Sequence, residues 1–149
     1  MQTVSGPENW VSWLSVAANI ATLLALTYAG YQTKVARFAA SASASSLIFS
    51  NLRNDIDRIA AQPDDTAHYW ATCDFLNNLE FACAMYFDGQ LSGKTGSLTM
   101  SLIKSMMGIV ERNPKLQDAV ARAVHDPTTF EFIRKFAGKH KKDWKPLNH

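Results

Sequence analysis

The apolar residues crowd toward the start of the chain. From Val11 to Ala29 fourteen of nineteen residues are apolar or aromatic, and the 25 residues from Asn9 to Thr33 carry no charge. About 20 such residues cross a bilayer as a helix, so the pattern predicts an N-terminal transmembrane helix. Trp10 and Trp13 mark one end of it, and Tyr28 and Tyr31 mark the other. The helical rise from Trp13 to Tyr31 is about 27 Å, which sets both aromatic pairs near the headgroups of a hydrocarbon layer roughly 30 Å thick. Ser12, Ser15, Asn19, Thr22 and Thr27 dilute the run. A buried core helix or an amphipathic helix lying on the surface is the competing reading.

Within this span Ala17, Ala21, Ala25 and Ala29 recur every fourth residue, forming a ridge that lets another backbone come close. Ser12, Ser15, Asn19 and Thr22 are read as a neighbouring polar stripe. Asn19 falls near the bilayer midplane, where its amide is costly unless another helix hydrogen-bonds to it. The expected helix–helix interface is therefore Ala17, Asn19, Ala21, Ala25 and Ala29, with homo-oligomerisation one outcome.

The helix is expected to continue beyond the membrane, because no Gly or Pro occurs from Tyr31 to Gln62. Val35, Phe38, Ala42, Ser45, Phe49, Leu52, Ile56 and Ile59 repeat at threes and fours, a heptad-like seam with a middle made only of Ala and Ser. Gln62-Pro63-Asp64-Asp65 stops it, and Asp65 or Thr66 is the expected cap of the next helix. That helix should run from Thr66 to Phe87 with Tyr69, Cys73, Leu76, Leu79, Cys83 and Tyr86 on one face, ending at Asp88-Gly89.

Three shorter helices follow. Gln90 to Gly96 reads as a turn, then Ser97 to Arg112 as a helix facing inward through Leu98, Leu102, Met106 and Ile109, with Ile103 and Val110 broadening the face. Asn113-Pro114 caps a helix over 115–125, with Leu116, Val120, Ala123 and Val124 inward. Asp126-Pro127 repeats that punctuation before a helix from Thr128 to Ala137, closed by Gly138. No alternating run suggests a strand, so the fold class is all-α: one transmembrane helix continuing into a long helix, packed with about four further helices. The expected organisation is a membrane anchor over 1–34, a helical body over 35–138 and a basic tail over 139–149.

Composition narrows the chemistry. Apolar residues make up 47% and charged residues 19% of the 149, which excludes a disordered or fibrous chain. Two cysteines are too few for a disulfide scaffold or a four-cysteine zinc site, and Cys73 and Cys83 read as small core thiols. His68, His125, His140 and His149 lack the spacing of a zinc protease. Asp55 and Asp57, or Asp64 and Asp65, read as a solvated charged face near Arg53 and Arg58. Gly93-Lys94-Thr95 matches only the end of a phosphate-binding loop, since its first glycine would have to stand at Asp88. No catalytic residue, metal or cofactor is expected.

The net charge of +2 is unevenly spread, for Arg134 to Lys145 holds six basic residues against Asp143. Lys139, Lys141, Lys142 and Lys145, with Trp144, suit contact with anionic lipid. Nucleic acid is not the expected partner. Lys34 and Arg37 follow the apolar segment and no Lys or Arg precedes it, so the positive-inside rule puts the body in the cytoplasm. Glu80, among Leu79, Phe81 and Ala82, either faces solvent or finds a cation such as an arginine.

The runs Phe75-Leu76-Asn77-Asn78-Leu79-Glu80, Gly89-Gln90-Leu91-Ser92 and Thr129 to Phe136 resemble those of small bacterial membrane-anchored helical proteins of unknown function. The resemblance implies an N-terminal membrane helix, a helix bearing Asn, Leu and Glu, and a short closing helix. It points to Asn77, Glu80 and Arg134 as a polar tie between the second and last helices. Together these readings lead to a single-pass protein of the bacterial inner membrane that acts through protein–protein interaction. The alternative is an effector or toxin that oligomerises and permeabilises the bilayer.

Overall fold

The computed structural model describes residues 8–126 and 128–140. Five helices and no strand occur among them: α1 (Glu8–Ala61), α2 (Asp65–Phe87), α3 (Gly93–Arg112), α4 (Pro114–Ala123) and α5 (Glu131–Lys139). The chain divides into two compact units, Met1–Arg37 and Phe38–His149. In the first, α1 is exposed at every described position from Trp10 onward.

The second unit is a bundle built around α2, which packs on α3, α4 and α5. Phe75, Leu76, Leu79, Ala82 and Cys83 of α2 are fully buried. Around them lie Ile48, Leu52 and Ile59 of α1, Ile103, Met107 and Val110 of α3, Leu116 and Val120 of α4, and Ile133 and Phe136 of α5. Removing each large side chain from water contributes about 1.5–3 kcal/mol, which outweighs the weak helix-forming tendency of the shorter segments.

The inward face of α1 within this unit differs from the expected seam. Ser41, Ser45, Ile48, Leu52, Asp55 and Ile59 are buried, whereas Phe38 and Phe49 are 46% and 41% exposed and Ala42 faces out. The heptad spacing holds, but two of its positions are polar side chains with specific partners. Ser41 Oγ donates to the Ser92 carbonyl at 3.0 Å and accepts from its N–H at 2.9 Å. Asp55 is the other, described below. Its burial corrects the reading of Asp55 as part of a solvated face; Asp57 is exposed.

Helix boundaries follow the local cap signals where the cap is local. Asp64, one residue ahead of the expected cap, accepts from the N–H groups of Thr66 and Ala67. Gly89, at φ +69°, turns the chain out of α2 as expected of a glycine past a helix end. Asn113 ends α3 and also caps α4, accepting from Leu116 N–H at 3.3 Å with Pro114 in the first turn.

Elsewhere the sequence reading shifts. Helix α3 begins at Gly93 rather than Ser97, and Gly93 takes φ +66° with the Phe38 ring 3.0 Å from where a Cβ would stand. Its buried side chains are Thr99, Ile103, Met107 and Val110, so the face is centred on the expected Ile103 and Val110 and not on the Leu98–Ile109 stripe, and Leu98 is 62% exposed. Helix α5 begins at Glu131 rather than Thr128 and runs through Gly138 to Lys139. Asp126 does not cap it; its carboxylate closes a local turn by accepting from the N–H groups of Thr128 and Thr129.

Candidate functional site

The most conspicuous surface belongs to the first unit. Trp10, Trp13, Leu14, Leu23, Leu24, Leu26, Tyr28 and Tyr31 are all more than 60% exposed, and no part of the apolar window of α1 is buried. This helix is long and apolar enough to cross a membrane. A contiguous apolar surface of this kind marks a contact with lipid or protein.

Its polar side chains divide into two groups. Thr22, Thr27 and Thr33 donate their hydroxyls to the carbonyls of Ala18, Leu23 and Ala29 at 2.8, 2.8 and 2.9 Å, so the helix satisfies them itself. No such bond ties Ser12, Ser15 or Asn19 among the described residues. The geometry of α1 also separates the interface residues named from sequence. At about 100° per residue, Asn19 and Ala21 face opposite ways, as do Asn19 and Ala17. Ala17, Ala21 and Ala25 are turned away from the asparagine, and the ridge winds back so that Ala29 stands about a quarter turn from it.

A polar tie does join α2 to α5, with Glu80 at its centre. Glu80 Oε1 accepts from Phe132 N–H at 2.8 Å and Oε2 accepts from Ile133 N–H at 2.7 Å. The partner is thus the open first turn of α5, whose peptide N–H groups favour a carboxylate, in place of the arginine anticipated from sequence. Arg134 instead donates from its guanidinium to the Thr129 carbonyl at 3.4 Å. Asn77 is exposed, and its neighbour Asn78 makes the buried contact, donating through Nδ2 to Asp55 at 2.7 Å. Arg58 bridges Asp55 at 3.2 Å and Asp74 at 2.8 Å, so a carboxylate on α1 holds α2 through two different donors.

The remaining candidates are scattered. Cys73 and Cys83 are free thiols. Burial first, and the nearby Glu80 carboxylate second, push the Cys83 thiol far above its ordinary range, which keeps it protonated and unreactive. His68 sits in the first turn of α2, His125 follows α4, and His140 caps the end of α5. No group of His, Cys, Asp and Glu able to hold a metal occurs among the described residues. An open depression of about 320 Å³ is lined by Ile56, Ile59, His68, Ile109, Lys115 and Leu116. Lys115 is committed there to Asp65 at 3.0 Å.

Lys139 lies over the rings of Tyr86 at 4.9 Å and Phe87 at 5.7 Å, a cationic edge on an aromatic cluster. Lys141, Lys142, Lys145 and Trp144 fall outside the described residues. Neither Lys94 nor Thr95 lies in a glycine loop, since both belong to the first turn of α3.

No protein-family model, curated protein or solved structure matches this chain.

Proposed function

We propose that the apolar segment of α1 anchors the protein in a membrane by a single pass and that the helical body acts by binding another protein. The observation that carries the anchor is the complete exposure of the apolar window, which none of the described residues covers. Leaving Leu23, Leu24 and Leu26 in water forgoes about 1.5–3 kcal/mol each, and lipid removes that cost. Lys34 and Arg37 beyond the segment favour a cytoplasmic body at a bacterial inner membrane, with Lys139 and the lysines after it near anionic headgroups.

For the body, support comes from Trp70 and Phe81, 63% and 53% exposed on α2. Eleven residues make three helical turns, so both rings stand on one outward face, and aromatic anchors of this type dominate protein interfaces.

Carbonate washing of membranes containing the full chain tests the anchor. The protein should stay in the pellet, and its release into the supernatant overturns the reading. Trp70→Ala with Phe81→Ala should abolish capture of the partner and leave fractionation unchanged. The competing reading, a permeabilising assembly, draws on the polar face around Asn19; depolarisation of a potential-sensitive dye on expression would favour it over the anchor.

A further inference from the structure

Asn19 is the amide in the proposed membrane segment, and like the hydroxyls of Ser12 and Ser15 it has no hydrogen bond among the described residues; with two donors and an acceptor it is the costliest of the three to leave so. The neighbouring threonines bond back to their own helix, yet the Asn19 amide has no partner among the described residues. In hydrocarbon such a group finds its donor and acceptor on another helix or pays for its desolvation. The helical period decides which residues could share that contact. Ser12, Val16, Leu23, Leu26 and Gly30 lie on the face of Asn19, in the order Ser12, Val16, Asn19, Leu23, Leu26, Gly30 at spacings of 4-3-4-3-4. That repeat is the seam of a left-handed helix pair, the commoner crossing in membranes.

Gly30 is a second, separate observation. It lies inside α1, where glycine weakens a helix, and a Cβ added there would meet nothing within 4 Å. The described residues therefore give no reason for the missing side chain, whereas a second backbone approaching that face does. Between the asparagine and the glycine, Leu23 and Leu26 are 64% and 65% exposed and supply the packing surface.

We propose that a second copy of this chain occupies the face, in parallel, with the two Asn19 amides hydrogen-bonded to each other. A carboxamide is both donor and acceptor, so identical residues at one depth satisfy one another. Copies inserted with one topology hold Asn19 at the same depth. Ala17, Ala21 and Ala25 face lipid in this pair. The proposal rests on the membrane anchor proposed above and adds the partner and the face.

The full-length chain, labelled separately with donor and acceptor dyes, is reconstituted in vesicles of phosphatidylcholine and phosphatidylglycerol. Energy transfer is followed as lipid dilutes the protein. Wild type should show concentration-dependent transfer, Asn19→Val should weaken association about tenfold, and Gly30→Leu should weaken it likewise. Asn19→Gln, which keeps both hydrogen-bonding functions, should retain it, and Ala21→Leu and Ala25→Leu should leave it unchanged. Absence of transfer in wild type, an unaltered Asn19→Val, or loss confined to the alanine variants overturns the proposal. Carbonate extraction of the same vesicles separates the two claims. Protein that remains embedded without transfer refutes only self-association, and protein that is stripped off refutes the anchor and the pairing together.

Discussion

Glu80 Oε2 accepts the backbone N–H of Ile133 at 2.7 Å, and Oε1 takes that of Phe132, so a side chain of α2 serves as the cap of α5 across 53 residues of sequence. Phe130, the residue at the usual cap position, is left-handed at φ 57° and supplies no side-chain hydrogen bond. Glu80→Gln keeps one acceptor and should cost about 1 kcal/mol; Glu80→Ala keeps none and should cost about 2–3 kcal/mol. Chemical denaturation of the solubilised full chain measures both. Hydrogen exchange should show faster exchange across 131–140 in the alanine variant.

Asp55 and Asn78 form the matching tie between α1 and α2. Asp55 is 6% exposed, so removing its carboxylate as Asp55→Ala strands the Asn78 amide and should cost about 2–3 kcal/mol. Asn78→Ala should cost about 1–2 kcal/mol. The double variant should fall short of the sum by at least about 0.5 kcal/mol, and strict additivity would show that the two do not depend on each other.

Two glycines should respond oppositely to alanine. A Cβ on Gly96 would sit 2.7 Å from the Leu91 carbonyl oxygen and closer still to its carbon, a collision with backbone that should destabilise the bundle by about 1–3 kcal/mol. At Gly138 a Cβ meets nothing within 4 Å, and Gly138→Ala should stabilise α5 by up to about 1 kcal/mol. Thermal melts of the pair read the contrast directly.

His140 gives the fold a pH dependence of predictable sign. Burial first, then the positive charges of Lys104 and Lys139, hold its ring below the ordinary value of 6.5. It packs at a tilt of 50° against Phe136, with ring centroids 4.3 Å apart, and lies beside Tyr86. The unfolded chain therefore binds a proton more readily, so this contribution is intact above the ordinary value and is lost as pH falls toward the folded one. Denaturation at about pH 7.5 and about pH 5.5 should show wild type losing stability relative to His140→Phe, which keeps a ring and cannot titrate.

What could be read in advance follows the range of the interaction concerned. Asn113-Pro114 is a correct helix start because cap, proline and capped N–H lie within four residues. Asp126-Pro127 has the same appearance, but its carboxylate is spent on Thr128 and Thr129, and the cap that matters comes from Glu80. The inward face of α1 was obscured in the same way: Ser41 and Asp55 are buried through Ser92 and Asn78, partners that hydropathy spacing does not register. Asn19 is legible as a costly amide, whereas a four-residue repeat in sequence does not show that Ala17, Ala21 and Ala25 turn away from it, which follows only from about 100° of rotation per residue.

Asn113 closes one helix and opens the next, so the corner between α3 and α4 has no slack. Inserting a single residue after Val110 would swing everything downstream by roughly a quarter turn about the axis, carrying Leu116 and Val120 away from the core they fill. The Asp88–Gln90 turn, which contains Gly89 and whose side chains are all exposed, can absorb such a change. Length variation in this bundle is therefore expected to accumulate at one hinge and be purged from the other.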